Sequence, residues 1–352
     1  MSHEVSAAPP VALHRPLPSL RSAAITGLGL YVPEKVLTNT DLEKLVDTND
    51  EWIRSRTGIA ERRIVADDEW TADLAEKAAR AALADAGVSP GEVQLVIVAT
   101  CTPDFQFPAT AALLQHRLGC TAAAFDLEAA CSGFVYGLIV AQQFIATGAV
   151  DTALVVGAEV MSRILDWKDR NTCVLFGDGA GAAVVQAAPQ GYGITGIDLG
   201  ANGAGGDLLK VEIAPQAVEQ AAEAAVGAPP ARRVFQNGKE VYRFAVNVMG
   251  ESAVRAAQNA SLDPSQVDLL VPHQANIRII ESAAKRMNLP MDKVFVNVHK
   301  YGNTSAASIP IALCEARNEG RLNHDDNVVI VGFGAGLTWA AAAMKWHSPI
   351  DD

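Results

Sequence analysis

Residues 80–99 read RAALADAGVSPGEVQLVIVA, and residues 255–273 read RAAQNASLDPSQVDLLVPH. Each stretch is an amphipathic helix, a proline-containing turn and an apolar strand. Pro90 and Pro264, Val93 and Val267, and Leu95 and Leu269 are each 174 residues apart. In the second helix Val246, Met249, Ala253, Ala256, Ala257 and Ala260 fall on one face. A further correspondence follows in the same order. VDTALVVGAEV (150–160) resembles DNVVIVGFGAG (326–336), with Gly157 and Gly332 175 apart. Two matches in one order and at nearly one offset predict a duplicated chain. The expected halves are 22–190 and 191–346, with a disordered arm over 1–21 and a tail over 347–352.

Outward from these units, apolar β-branched runs alternate with alanine-rich helical stretches. The runs include Val93–Ala99, Ala153–Gly157, Gly181–Gln186, Val267–Val271 and Val328–Gly332. This alternation predicts an α/β protein with buried, mixed sheets. The longest apolar run, Val328 to Met344, contains Gly332, Gly334 and Gly336 and reads as strand, glycine turn, strand rather than a membrane helix. Residues 1–20 hold four prolines and no apolar signal core. Residues 201–234 are rich in Gly, Ala and Pro, with a helical pattern at Val218–Val226, and predict a long surface excursion.

The 352 residues suffice for about two domains. A composition 49% hydrophobic and 19% charged excludes a disordered chain. The formal net charge of −12 argues against general nucleic-acid binding, which needs basic patches. Five cysteines (Cys101, Cys120, Cys131, Cys173, Cys314) contain no C-x-x-C pair, so neither a zinc knuckle nor a redox pair is indicated. A reducing cytoplasm is the expected compartment.

Three residues stand where chemistry is expected. Cys131, in FDLEAACSGFVYGL, lies at a strand-to-helix turn, where a helix N-terminus favours the thiolate and lowers its pKa. The competing reading is a small buried core residue. Glu128 raises that pKa if it points inward, although strand alternation can turn it away. His273, in LLVPHQANIRI, stands directly after a buried strand, where open α/β sheets place ligands. The other six histidines lack that setting. Asn303, in HKYGNTSAASIPIAL, opens a helix after a glycine turn, and taken alone reads as a cap or turn former. The loop Gly332-Phe-Gly-Ala-Gly336 can aim backbone N–H groups at a developing oxyanion. No G-x-G-x-x-G before a helix, P-loop, H-E-x-x-H or G-x-S-x-G is present.

In order along the chain, NDEWIRSRTGIAERR (49–63), AACSGF (129–134), FGDGAG (176–181), PHQAN (272–276), GNTSAAS (302–308) and GFGAGLTW (332–339) resemble the thiolase superfamily. They are most similar to the bacterial β-ketoacyl-acyl-carrier-protein synthase III enzymes, over about residues 22–346. The resemblance implies a five-layer αβαβα fold of two similar halves and a homodimer. It implies a Cys131–His273–Asn303 triad, with the backbone N–H groups of Cys131 and Ala335 as oxyanion hole. Trp52, Arg56, Arg170 and Asn276 match coenzyme A contacts, and Arg243 and Arg278 match basic positions that receive the acidic acyl carrier protein. For the two last arginines a solvated surface charge is the competing reading. Phe107 and Phe333 match acyl-pocket positions, Phe107 reaching across the dimer, and a large ring there suggests a short primer such as acetyl.

The implied activity is a decarboxylating condensation of a short acyl-CoA with malonyl-acyl carrier protein, with no cofactor, metal, nucleic acid or membrane involved. Three alternatives remain. One is a priming or acyl-transfer enzyme of a polyketide or other secondary pathway. Another is a non-catalytic partner subunit, against which the intact triad speaks. The third is a papain-like Cys–His–Asn hydrolase.

Overall fold

The computed structural model describes residues 21–211 and 233–348. In chain order the strands of the first half are β1 (Ser22–Tyr31), β2 (Lys35–Thr38), β3 (Glu61–Ile64), β4 (Leu95–Ala99), β5 (Ala123–Leu127), β6 (Thr152–Val160) and β7 (Asp178–Ala188). Those of the second half are β8 (Gly193–Ala201), β9 (Leu209–Val211), β10 (Val234–Gln236), β11 (Leu269–Pro272), β12 (Asn327–Gly334) and β13 (Thr338–Lys345). The described helices are α1 (Asn39–Leu42), α2 (Asp50–Thr57), α3 (Thr71–Ala86), α4 (Thr110–Leu118) and α5 (Gly133–Ala146), then α6 (Gly238–Asn259), α7 (Ile277–Arg286), α8 (Val298–Tyr301) and α9 (Ser308–Asn318).

Two sheets carry the duplication. The first has the order β1-β7-β6-β4-β5 and the second β8-β13-β12-β11. Both are mixed: β4 runs parallel to β5 and β6, and β11 parallel to β12, while the remaining pairs are antiparallel. A lone parallel bridge between Leu270 and Val294 stands where β5 pairs with β4.

Burial sets the layers. All five residues of β4 are buried, Val96 and Val98 against α3 and α4, Leu95 and Ile97 against α5. A strand covered on both faces must be apolar at every position. Helix α5 is apolar nearly all round because it lies with α9 between the two sheets. Helices α6 and α7 cover the outer face of the second sheet. The result is αβαβα. Each large side chain sealed in these layers, such as Phe134 or Leu138, contributes roughly 1.5–3 kcal/mol.

Two local expectations change. Helix α6 runs 22 residues from Gly238, capped by the Asn237 side chain, so its buried face starts at Val241 and passes through Ala245, Val248 and Met249. Val246 is therefore only half-buried, on the flank of that face. The predicted helix at Val218–Val226 lies outside the described residues, as does the arm up to residue 20. What is described of the excursion is its base, an antiparallel ribbon of β9 and β10. Arg21 is already tied down by an ion pair to Asp151, and His347 is buried beside Tyr192. Among the described residues no helix is long and apolar enough to cross a membrane.

Candidate active site

Strand β5 ends at Leu127, and the chain turns through Ala130–Ser132, a short 3-10 turn, into α5. Ala130 takes φ 45° there, a left-handed conformation that costs a non-glycine residue roughly 1–2 kcal/mol. Such strain persists only where the surroundings hold it. The Ser132 hydroxyl donates to Ala129 O (2.7 Å) and meets Thr338 Oγ1 at 2.8 Å. The turn is thereby tied to the start of β13. Gly334, the last residue of β12, lies so close that a Cβ would fall 2.7 Å from the Cys131 nitrogen. Only glycine permits this approach, and Ala335 is the next residue along the chain.

Cys131 is 7% exposed, and its thiol donates to Ser305 Oγ at 3.5 Å. The expectation of a lowered thiol pKa is overturned. Burial pushes the Cys131 thiol up to about 12; the Ser305 hydrogen bond opposes this and the Glu159 charge adds to it. That rise corresponds to roughly 4 kcal/mol, whereas a helix terminus supplies at most about 2 kcal/mol. Desolvation wins. Glu128 is exposed, accepts from the Ala130 N–H, and raises the thiol least of the causes.

His273 follows β11 and is buried, with its backbone N–H bonded to Val331 O at 2.7 Å. Burial drives its pKa down to about 3, so the imidazole is neutral. Nδ1 meets Ser308 Oγ at 2.6 Å, and Ser308 Oγ also accepts from the Gln274 N–H at 3.4 Å. A hydroxyl that accepts from Gln274 still has its own proton to give, and when Ser308 gives it to Nδ1 the ring proton stands on Nε2. That Nε2 is buried and has no hydrogen-bond partner among the described residues. Gln274 fixes the strand end: its amide nitrogen donates to Pro272 O and Phe295 O, and its oxygen accepts from Asn297 and Val298.

Asn303 accepts the Ser305 N–H on Oδ1 at 2.8 Å, and its Nδ2 has no hydrogen-bond partner among the described residues. The segment from Asn303 to Ser308 thus contains one triad candidate and touches the other two, Cys131 through Ser305 and His273 through Ser308. Phe333 packs its ring edge-on to His273, 5.6 Å between centroids.

The remaining candidates divide. Trp52, Arg56, Asn276 and Arg278 meet where α2 faces α7. Asn276 donates to Arg56 O (3.0 Å), and Arg278 donates to Ser55 O (2.7 Å). The Arg170 guanidinium lies 5.2 Å from the Trp52 ring centroid. A flat base between them needs about 3.5 Å on each side, so the pair must part to admit one. Asn276 also caps α7 through Oδ1, a structural task the sequence reading did not assign. Arg243 stands apart on α6, exposed and paired with Glu240 at 2.8 Å. Phe107 is 84% exposed and lines no part of this chain's own site. Among the described residues no cluster of His, Cys, Asp and Glu could hold a metal.

Comparison with known proteins places this geometry. A family profile described as 3-oxoacyl-[acyl-carrier-protein] synthase III matches residues 125–203, and one for the C-terminal part of that enzyme matches 257–346. A β-ketoacyl-[acyl-carrier-protein] synthase III of Desulfitobacterium hafniense is 55% identical over 92% of this chain and 98% of its own. The chain belongs to the β-ketoacyl-acyl-carrier-protein synthase III family. The Aquifex aeolicus synthase III structure superposes with a TM-score of 0.86 at 45% identity, covering 92% of this chain and 100% of that one. A priming β-ketosynthase of the R1128 polyketide pathway gives a TM-score of 0.87 at 35% identity, covering 95% and 98%. The chain is a condensing acyltransferase with the thiolase-like fold. Its reaction joins an acyl-CoA to malonyl-acyl carrier protein and starts fatty-acid synthesis.

Sequence reading missed Ser305, Ser308, Gln274 and Glu159. The first two lie within the quoted GNTSAAS motif, where their hydroxyls were the available signal. Glu159 lies in VDTALVVGAEV, as the one charged residue of a fully buried strand.

Proposed function

We propose that Cys131 takes a short acyl group, acetyl in the first instance, from its CoA thioester. The acyl-enzyme then receives the carbanion left by decarboxylation of malonyl-acyl carrier protein. The carrying observation is a pair of polar atoms without hydrogen-bond partners among the described residues, His273 Nε2 and Asn303 Nδ2, with Asn303 bonded to the N–H of Ser305, the nucleophile's own contact.

The chemistry follows from these atoms. Cysteine suits the first step because its acyl form is again a thioester. Loss of CO2 builds negative charge on the malonyl thioester oxygen. Two neutral N–H donors in a buried site stabilise that enolate without giving up a proton to it. The imidazole serves as a donor because burial keeps it neutral with its proton on Nε2. The enolate carbon attacks the acyl-Cys131 carbonyl, and the backbone N–H groups of Cys131 and Ala335 receive the oxyanion. Trp52, Arg56, Arg170 and Asn276 hold coenzyme A, and Arg243 and Arg278 receive the carrier protein. An exposed Phe107 fits a role in a partner's acyl pocket within a cytoplasmic homodimer, with Phe333 lining the chain's own pocket. No cofactor enters this scheme.

The test separates the two steps. His273→Ala and Asn303→Ala proteins still acquire the acetyl mass on Cys131, while malonyl-carrier-protein decarboxylation falls roughly 100- to 1,000-fold. Variants that lose acylation yet still decarboxylate overturn the assignment.

A further inference from the structure

Glu159 has no place in the scheme above, and its surroundings are unusual. It sits on β6 at 0% exposure, and every group that touches it is a donor. Thr100 Oγ1 lies at 3.1 Å, the Cys101 N–H at 3.1 and 3.2 Å, Cys101 Sγ at 3.2 Å and Ser305 Oγ at 2.9 Å, with the Thr102 hydroxyl also bonded. Thr102 Oγ1 accepts from the Val160 N–H, so its own proton points to Glu159. This is the donor set of an ionised carboxylate, and it forms no ion pair among the described residues. A buried charge without a counter-ion costs several kcal/mol, which a purely structural position has little reason to retain. From Glu159 the hydrogen bonds run outward in one direction: Ser305 Oγ donates to Glu159 Oε1 and accepts from Cys131 Sγ.

We propose that Glu159 accepts the Cys131 thiol proton through the Ser305 hydroxyl during acylation and returns it to the departing CoA sulfur. The inference rests on the acyl-Cys131 reading above. The Cys131 S–H bond breaks and its proton passes to Ser305 Oγ, while the Ser305 proton passes to Glu159 Oε1. The sulfur lone pair forms the bond to the acyl carbon while the carbonyl π pair moves onto its oxygen, and that pair returns to re-form the carbonyl as the leaving group departs. The bond from that carbon to the CoA sulfur then breaks, its electron pair staying on sulfur. The proton retraces the path to that sulfur, which was bonded to the same carbon as Cys131 Sγ. No other reactant is consumed. The relay answers a need set by geometry, because a thiol this buried ionises little at neutral pH. Burial also raises the Glu159 carboxyl above its ordinary range, making it a better proton acceptor.

Other ionisable groups around the relay are accounted for. Cys101 is the nearest, 3.8 Å from Ser305 Oγ, and burial raises its thiol well above normal. Asp178, on the neighbouring β7, is turned to the Val65 N–H and Ser162. Glu128 is exposed, and His273 is neutral. Ser305 touches the reacting sulfur and is catalytic; Glu159 acts through it as a positioning residue.

The test is the pH profile of Cys131 acetylation in single turnover, read by intact mass, for the full-length protein and for Ser305→Ala, Glu159→Gln and the double variant. Ser305→Ala is the small change that keeps the turn, should Glu159→Gln fold poorly. Each single variant is expected to acylate about 100-fold more slowly at neutral pH, with no further loss in the double variant. Each deficit narrows as pH rises and hydroxide takes over the deprotonation. Ser305→Ala acylating at the parent rate, or losing the same factor at every pH, overturns the relay while leaving the function standing. A parent protein that never acquires acetyl on Cys131 overturns both.

Discussion

The turn Ala130–Ser132 in the first half and the turn Ser305–Ala307 in the second are the same piece of chain, 175 residues apart. Each begins on a non-glycine residue with positive φ, 45° at Ala130 and 48° at Ser305, and each feeds directly into a central helix. Each is also overlain by a glycine from the other half. A Cβ on Gly157 would strike Ala306 O at 2.3 Å, and one on Gly332 would meet Cys131 O at 3.1 Å. Gly157 and Gly332 are themselves 175 apart. The backbone is duplicated down to its strain and its close contacts, and the side chains are not. The first turn carries the thiol at its middle position; the second carries alanine there and a hydroxyl one residue earlier. Duplication supplied two equivalent seats facing each other. Division of labour put the nucleophile on one and its polar partners, Asn303, Ser305 and Ser308, on the other.

If the seats were equivalent chemically as well as in backbone, the nucleophile could change places. The Cys131→Ala, Ala306→Cys double variant should nonetheless stay unacylated, down roughly 1,000-fold or more. Ser305 reaches the thiol of the first turn, and Glu159, 175 residues before Gly334, stands over the second turn where Gly334 stands over the first. Measurable acetylation at residue 306 would show that the turn alone makes the nucleophile. A smaller effect sharpens the packing side. Gly157→Ala, with a backbone oxygen inside contact distance, should cost about 2–3 kcal/mol of stability, whereas Gly332→Ala should cost about 1 kcal/mol or less. Equal losses in urea unfolding would mean that the two contacts are not counterparts in energy.

Much of this was legible before any coordinates. The 174-residue spacing of Leu95 and Leu269 is that of the first residues of β4 and β11, because a strand buried on both faces leaves a continuous apolar signature. Cys131 and His273 stood out because each follows the end of an apolar strand, whereas Asn303 read by itself as a cap or turn former and took a triad role only from the family resemblance. Glu159 was hidden because its partner Ser305 is 146 residues away, and no local pattern reports so distant a hydrogen bond. The thiol pKa was misjudged for the same reason. The helix terminus is local and readable, while the burial that outweighs it is assembled by both halves. Asn276 shows the converse, since a residue matched to a ligand contact also does ordinary work as a helix cap.

The central claim is that Cys131 carries the acyl group in transit. Its most direct test is the intact mass of the protein after incubation with acyl-CoAs from acetyl upward, with Cys131→Ser as the control. The account predicts a gain of one acetyl group from acetyl-CoA, absent in the variant. A gain that persists in Cys131→Ser, or no gain from any acyl-CoA, would contradict it.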